Sequence, residues 1–229
     1  MRFLFFRFAG IEFPILSWYY LYNEENEEKS MRLYDISQEL LSSAVYPGDP
    51  CPTVTKLSSI DDGDLYNLTS LSMCTHNGTH IDAPAHFIKG GDTVSEVDIS
   101  KTVGECFVAE GMGIIGKEEA ENILERAKMC GTEHAKRLLI KGDITVTSEA
   151  AYTFYRGGVS LLGVESQSVG PIDAPMEVHK ILLSAQVILL EGLRLGTVCE
   201  GGYFLFAAPI NIAGADGSPC RAVLVDFNN

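Results

Sequence analysis

Apolar residues in this chain gather in short runs that end at glycines or charged residues. Runs of this length predict buried β-strands, and they occupy residues 137–141, 159–164, 187–190 and 222–225. Residues 32–37 and 65–73 alternate between apolar and polar positions, which predicts two further strands. The pattern therefore indicates a largely buried sheet.

A different period marks three other segments. Residues 117–130 carry apolar side chains at helical spacing, with acidic residues in the first turns and a glycine directly after the last turn. These features predict an amphipathic helix. Residues 149–155 and 176–184 predict two shorter helices. Strands interspersed with helices in this way are typical of an α/β domain with a mixed sheet.

The first thirty residues do not continue this pattern. They are rich in aromatic side chains, but charged residues interrupt them, so no uncharged stretch reaches the roughly 18 residues of a membrane helix. No region resembles a signal peptide. A polar segment at 23–30 leads to Met31, where a regular pattern begins. We expect residues 1–30 to be an N-terminal extension that is not native or is poorly ordered, and residues 31–229 to form one domain. The alternative is an extension that contacts a membrane surface or a second subunit.

Composition limits the classes of function. The 229 residues are 46% hydrophobic and 21% charged, which suits one globular domain. The formal net charge of −14 and the lack of a basic patch argue against nucleic-acid binding. The excess carboxylates suit a cation site, but they also suit an ordinary acidic surface. Six scattered cysteines without a CxxC pair indicate a reducing, cytoplasmic location.

The densest chemistry lies in residues 74–87, which we call the histidine segment. It contains three of the five histidines of the chain. His76, His80 and Asp82 offer two imidazoles and a carboxylate, a ligand set that zinc and similar divalent metals accept. His86 follows as a fourth group. The segment therefore predicts a metal site.

Gly78 and Pro84 predict that the histidine segment is a tight loop and not a regular helix. Its first two histidines therefore do not form the helical pair of the zincin proteases, and the glutamate that would follow the first histidine is absent. Cys74 offers a thiolate as a soft ligand, but we interpret it as a small buried apolar residue.

Two residues farther along the chain add to this picture. Glu191 ends the apolar run 187–190, and α/β folds place functional groups at the carboxyl ends of strands. A buried carboxylate without a partner costs free energy, so a bound cation is the simplest explanation. His179 lies in the predicted helix 176–184, where a lone histidine is more often a polar surface residue than a ligand.

The run His-Asn-Gly-Thr-His-Ile-Asp-Ala-Pro-Ala-His at 76–86 resembles the HxGTHxDxPxH signature of the cyclase family of metal-dependent hydrolases, which includes bacterial kynurenine formamidase and isatin hydrolase. The resemblance continues over most of the chain from 31 to 227. It is carried by residues 35–37, 46–50, 163–169, 179–191 and 214–223.

The resemblance implies a role for each candidate residue. His76, His80 and Asp82 would hold one metal ion, and Asp82 would also reach a second ion. His179 would bind that second ion, while Glu191 would bridge both. His86 matches the proton-transfer residue of the family. Tyr46 stands where the formamidase has a tryptophan that contacts the substrate.

The resemblance also implies a function. We expect an enzyme with two divalent ions, zinc as in the formamidase or manganese as in isatin hydrolase. A hydroxide bridging the ions would cleave the C–N bond of a small-molecule amide, most simply an arylformamide such as N-formylkynurenine in tryptophan catabolism. Two alternatives stay open: a hydrolase that opens a cyclic amide or ester, and a non-catalytic metal-binding protein. The family implies a swivelling β/β/α-type domain that forms a homodimer or a larger homo-oligomer, without a membrane partner.

Overall fold

A computed structural model describes residues 5–8, 11–14, 31–171 and 173–227. The chain separates into two compact units. The first comprises Met1–Arg32 and Asp226–Asn229, and the second comprises Leu33–Val225. The prediction for residues 1–30 falls largely outside the described residues, so the predicted domain boundary stays a prediction.

The described residues contain strands and three α-helices, and most of the strands precede the first α-helix or follow the last one. The strands are β1 (Phe5–Phe8), β2 (Ile11–Pro14), β3 (Arg32–Asp35), β4 (Thr53–Ser58), β5 (Leu68–Ser72), β6 (His80–Asp82), β7 (Val103–Glu110), β8 (Gly113–Ile115), β9 (Arg137–Lys141), β10 (Ile144–Val146), β11 (Leu161–Val164), β12 (Ile188–Glu191), β13 (Gly201–Phe206), β14 (Gly217–Pro219) and β15 (Val223–Asp226). The α-helices are α1 (Lys117–Cys130), α2 (Ser148–Arg156) and α3 (Met176–Ser184).

Nine of these strands form one mixed sheet in the order β14-β6-β12-β11-β9-β7-β13-β15-β3. The four strands β12, β11, β9 and β7 run parallel to one another. Antiparallel strands extend the sheet on both sides, with β6 and β14 at one edge. In the described part of the chain, β1 pairs with β2, β4 with β5, and β8 with β10 in separate two-stranded ladders.

Apolar residues cover both faces of the central strands because successive side chains of a strand point to opposite sides. In β9, for example, Leu138 and Ile140 join the core on one face, while Leu139 joins the core on the other. The helices supply the first of these cores. This arrangement explains the continuous apolar runs in the sequence, and the predicted α/β domain with a mixed, largely buried sheet is confirmed.

Helix α1 has the predicted bounds, and it buries the predicted face. Its buried side chains are Ala120, Ile123, Leu124 and Ala127. The backbone N–H of Gly131 donates to the carbonyl of Ala127 and so completes the last turn. The helical spacing in the sequence was sufficient to locate this element because its packing face repeats over several turns.

The histidine segment was predicted to be a loop, but its central part is a strand. Residues His80–Asp82 form β6, which lies between β12 and β14 and pairs with both. All three residues are buried. A strand of three residues leaves no periodic signal in the sequence, so its partners elsewhere in the chain determine it.

The hairpin formed by β4 and β5 lies outside the nine-stranded sheet. The prediction of a strand at 65–73 is correct in kind, but every residue of β5 is exposed. No helix in the described part of the chain is long and apolar enough to cross a membrane.

Candidate metal centre

The pairing of β6 with β12 brings three candidate ligands to one face of the sheet. His80 and Asp82 are two positions apart in β6 and therefore point to the same side. Glu191, the last residue of β12, lies directly opposite His80. The intervening Ile81 points to the opposite face and joins the core there.

Helix α3 adds His179 from above this face. Its Nε2 atom lies 3.3 Å from Oε1 of Glu191 and 3.6 Å from Oδ2 of Asp82. The residue is 3% exposed, so the structure does not support the interpretation of a surface histidine. The side chain is held in the centre of the site.

The turn before β6 adds His76. Its Nδ1 atom lies 2.9 Å from Oδ1 of Asp82. Gly78 takes a left-handed conformation with φ of 69° in this turn, which a residue without a Cβ atom adopts readily. Three groups among the described residues could hold a metal, and two of them are triads that share Asp82: His76, His80 and Asp82, and Asp82, His179 and Glu191.

Backbone hydrogen bonds fix the orientation of two of the imidazoles. Nδ1 of His80 donates to the carbonyl of Gly78 at 2.9 Å, and Nδ1 of His179 donates to the carbonyl of Pro175 at 2.8 Å. A neutral imidazole carries one N–H, so the Nε2 lone pairs of both rings point toward Asp82 and Glu191. Such second hydrogen bonds are typical of metal-binding histidines.

The distances between the donor atoms at the centre suit a bound divalent metal better than they suit hydrogen bonds among the donors. Oδ2 of Asp82 is buried and has no hydrogen-bond partner among the described residues. The Nε2 atom of His80 lies 3.4 Å from Oδ1 of Asp82 and 3.6 Å from Oε2 of Glu191, distances at which a hydrogen bond is weak or absent. Two ligands of one tetrahedral ion, each at its usual bond length, lie about 3.3 Å apart.

Electrostatics favour a cation at the same place. Burial alone would lower the pKa of His76, but the carboxylates of Asp82 and Asp216 outweigh it and raise the pKa to about 9. The pKa values of His80 and His179 are also raised, against the effect of burial, by their carboxylate neighbours. Despite complete burial, the pKa of Asp82 is held well below its usual range by the adjacent imidazoles. The carboxylate of Asp82 is therefore charged and attracts positive charge.

His86 stands beside the ligands without belonging to the two triads. It ends the short 3₁₀ turn Pro84–His86, and its ring stacks on His76 with 4.0 Å between the centroids. Burial lowers the pKa of His86. The position gives the site an imidazole that adjoins the ligands and remains one-quarter exposed.

Sequence reasoning missed Asp216. Its Oδ2 atom lies 3.0 Å from Nε2 of His76 and 3.2 Å from Nδ1 of His86. Burial would raise the pKa of this carboxyl, but the two imidazoles lower it to about 2. The signal in the sequence was the Gly-Ala-Asp-Gly-Ser-Pro motif at 214–219, in which the aspartate is the only side chain able to ionise.

Four of the five candidate ligands, His76, His80, His179 and Glu191, line a cavity of about 540 Å³. Tyr46 lies in its wall, as do Phe87 and Ser168. Cys74 also lines the cavity and is half-buried, so the interpretation of a buried apolar residue is corrected. The volume suits a small organic molecule.

A comparison with protein families identifies the chain. The model of the family described as "Putative cyclase" matches residues 34–171, which is more than half of the sequence. The chain belongs to the Cyclase family. The match contains the histidine segment, whereas His179, Glu191 and Asp216 lie beyond it.

Relatives of this Cyclase-family chain extend the likeness over the second half. A kynurenine formamidase from Bacillus anthracis is 34% identical over 205 residues, covering 86% of this chain and 98% of the relative. Among solved structures, a predicted metal-dependent hydrolase from Bacillus stearothermophilus is 27% identical with a TM-score of 0.71, covering 86% and 99% of the two chains.

A third comparison concerns the fold alone. Isatin hydrolase A from Labrenzia aggregata has a TM-score of 0.74 at 20% identity, covering 92% of this Cyclase-family chain and 99% of the other. Together these comparisons confirm the predicted family, its fold and its hydrolase class.

Proposed function

We propose that this Cyclase-family chain is a metal-dependent amide hydrolase whose substrate is an arylformamide such as N-formylkynurenine. The observation that carries the proposal is the pair of triads sharing Asp82, placed in a cavity beside a histidine that is not needed as a ligand. A protein that only binds metal has no use for that additional group. The 34% identity to a kynurenine formamidase supports the choice of substrate.

In this proposal, five side chains hold two divalent ions. His76, His80 and Asp82 hold one ion, and His179 holds the other together with the second oxygen of Asp82. The two oxygens of Glu191 face different histidines, Oε2 toward His80 and Oε1 toward His179, which supports a bridging role. Imidazole and carboxylate ligands suit zinc, with manganese as the alternative.

When bound, such ions lower the pKa of water from near 16 toward about 7 and polarise a carbonyl oxygen. The residues of the chain supply the rest. The ligands would hold the ions against the cavity, and His86 delivers a proton to the departing nitrogen. An amine is a poor leaving group without that proton, and an imidazole is suited to carry it.

The cavity wall supports an aromatic substrate. Tyr46 and Phe87 provide ring surfaces near the ligands, and aromatic rings favour offset or edge contacts with one another. Tyr46 in particular would contact the aryl group, because it lines the cavity from the loop that precedes β4. The phenol is smaller than the indole of the tryptophan that the family resemblance implies at this position, so it leaves room for a substituted ring.

We also propose that the chain acts as a homodimer or larger homo-oligomer in the cytoplasm. The exposed hairpin of β4 and β5 supports self-association, because Val54, Leu57 and Leu71 are each about half exposed there. Monomeric proteins rarely leave such clusters of apolar side chains in water. The free cysteines of the described residues suit a reducing compartment.

The decisive experiment is a comparison of substrates with metal-loaded and chelator-treated protein. We expect N-formylkynurenine to be hydrolysed only after zinc or manganese is restored, and faster than isatin or small lactams. Preferred hydrolysis of isatin would replace the proposal with a cyclic-amide hydrolase. Metal binding without hydrolysis of any of these amides would leave a non-catalytic metal protein.

A further inference from the structure

Asp216 lies between His76, a candidate metal ligand, and His86, the candidate proton carrier. One of its oxygens, Oδ2, lies within hydrogen-bond distance of both His76 and His86. The other oxygen, Oδ1, accepts a hydrogen bond from the hydroxyl of Thr75 at 3.1 Å. The carboxylate thus joins a candidate metal ligand to the candidate proton carrier.

The backbone holds this carboxylate in place independently of its side-chain contacts. The carbonyl of Asp216 accepts a hydrogen bond from the N–H of Ala83 at 2.9 Å. The next residue, Gly217, begins β14 and pairs with Asp82. Asp216 is therefore anchored at the same point of the sheet edge as the shared ligand, and a change of its side chain leaves these backbone bonds intact.

The contacts of Asp216 determine which nitrogen of each ring carries a hydrogen. A carboxylate oxygen only accepts hydrogen bonds, so Nε2 of His76 and Nδ1 of His86 must both be donors. A neutral His76 then presents the lone pair of Nδ1 to Oδ1 of Asp82, 2.9 Å away. Two acceptors at this distance require a proton or a cation between them.

This assignment sets His76 apart from the other two histidine ligands. His80 and His179 donate through Nδ1 to backbone carbonyls and keep Nε2 for the centre of the site. His76 has the reverse orientation, because its external acceptor is a charged side chain on the Nε2 side. A carboxylate acceptor raises the basicity of a ligand imidazole more than a carbonyl does.

We propose that Asp216 is a positioning residue that fixes His76 as a metal ligand through Nδ1 and fixes His86 with Nε2 free for proton transfer. This inference rests on the proposed function of the site. In this arrangement, Nε2 of His86 accepts a proton from the attacking water and then donates it to the departing nitrogen. Asp216 keeps its own charge throughout.

The test compares Asp216→Asn and Asp216→Ala with the native protein in two separate measurements. The first is zinc affinity by competition with a chelator, without substrate. We expect it to fall about 10–100-fold, with an unchanged number of ions at saturation. The second is hydrolysis of N-formylkynurenine at saturating zinc, where we expect a lower kcat and a nearly unchanged KM.

A double-mutant cycle separates the two contacts of Asp216. In a His86→Ala background, Asp216→Asn should still weaken zinc binding, but its additional cost in kcat should shrink because no ring remains to be oriented. Glu133→Gln is the matched control, since it removes the same charge from an exposed carboxylate 2.7 Å from Lys136. It should retain native affinity and turnover.

Two results would overturn the inference. Native zinc affinity and native kcat in both Asp216 variants would remove any positioning role. Loss of one bound ion at saturating zinc would make Asp216 a ligand in its own right, together with His76 and His86. If the native protein hydrolyses no formamide, the proposed function fails, and the affinity measurement alone decides the role of Asp216.

Discussion

Asp82 shows how much one residue contributes to the site. Its Oδ1 atom lies near His76 and His80, while Oδ2 lies 3.6 Å from His179 without a hydrogen bond. Leaving a buried acceptor unsatisfied costs about 1–3 kcal/mol, and more for a charged group. A protein retains such an atom where a cation satisfies it, so the unpaired oxygen supports the metal site independently of any relative.

A substitution of His86 should affect turnover without affecting metal binding. We expect His86→Ala to retain its metal and to lose turnover by about 100-fold or more, because proton transfer by a positioned side chain contributes at least this much. Metal analysis and kcat for N-formylkynurenine measure the two effects.

His134→Gln provides the matched control for this experiment. His134 is the one histidine outside the site. Its Nδ1 atom lies 3.5 Å from Oε2 of Glu105. Native turnover is expected in that variant. Full activity in His86→Ala would contradict the role proposed for His86.

Among the structural elements, β14 shapes the site although it supplies no ligand. A Cβ atom on Gly217 would lie 2.4 Å from Cε1 of His76. Real atoms do not approach this closely, so a side chain at this position would displace the imidazole. The absence of a side chain in the edge strand is what lets the His76 ring lie against the sheet.

The same geometry predicts the result of Gly217→Ala. We expect zinc affinity to fall about tenfold or more, because a misplaced first ligand weakens binding at least as much as the loss of a supporting contact. Gly196→Ala is the control, since a Cβ atom there would meet nothing within 4 Å. Chelator competition with both variants measures the difference, and equal affinities would show that the ring adjusts without cost.

The elements that the sequence predicted are those with a repeating local signal. Helix α1 was located residue by residue, and β9 has the predicted bounds, since both bury apolar side chains in a regular order. Strand β6 was missed because its three residues pair with β12 and β14, far along the chain. Asp216 was missed for the same reason, since its two imidazole partners lie in a distant segment.

The resemblance to a family supplied what local patterns could not. From the residues alone, His179 was one polar residue of a helix, and Glu191 was a carboxylate at the end of a strand with an inferred cation partner. Only the fold brings them next to Asp82. Their predicted roles as ligands stay predictions, although the structure places both within the cluster.

On the scale of the whole molecule, the β4–β5 hairpin exposes apolar side chains that have no evident role in a single chain. Val54 lies opposite Leu71 across the ladder of β4 and β5, and both side chains are about half exposed. The hairpin connects directly to the loop of Tyr46 and to the histidine segment. A second copy that covers it would therefore contact the hairpin that joins two cavity-lining segments.

Sedimentation of the purified protein tests this expectation. We expect the native chain to sediment as a dimer or larger assembly, and Val54→Ser with Leu71→Ser to shift it toward monomer because the buried apolar area is reduced. Exposed Met129→Ser on α1 is the control. A native monomer at micromolar concentration would contradict the proposed assembly.

The alternation along β6 has a consequence for how the protein acquires its metal. Strands β6 and β12 present His80 and Glu191 on one face. On the opposite face, Ile81 and Leu190 of the same strands pack in the apolar core. A slip of β6 by one residue against β12 would turn His80 and Asp82 to the core face and place Ile81 where a ligand belongs. Metal binding therefore reports correct strand register, and the chain becomes competent to bind both ions only after its two distant ligand groups have met.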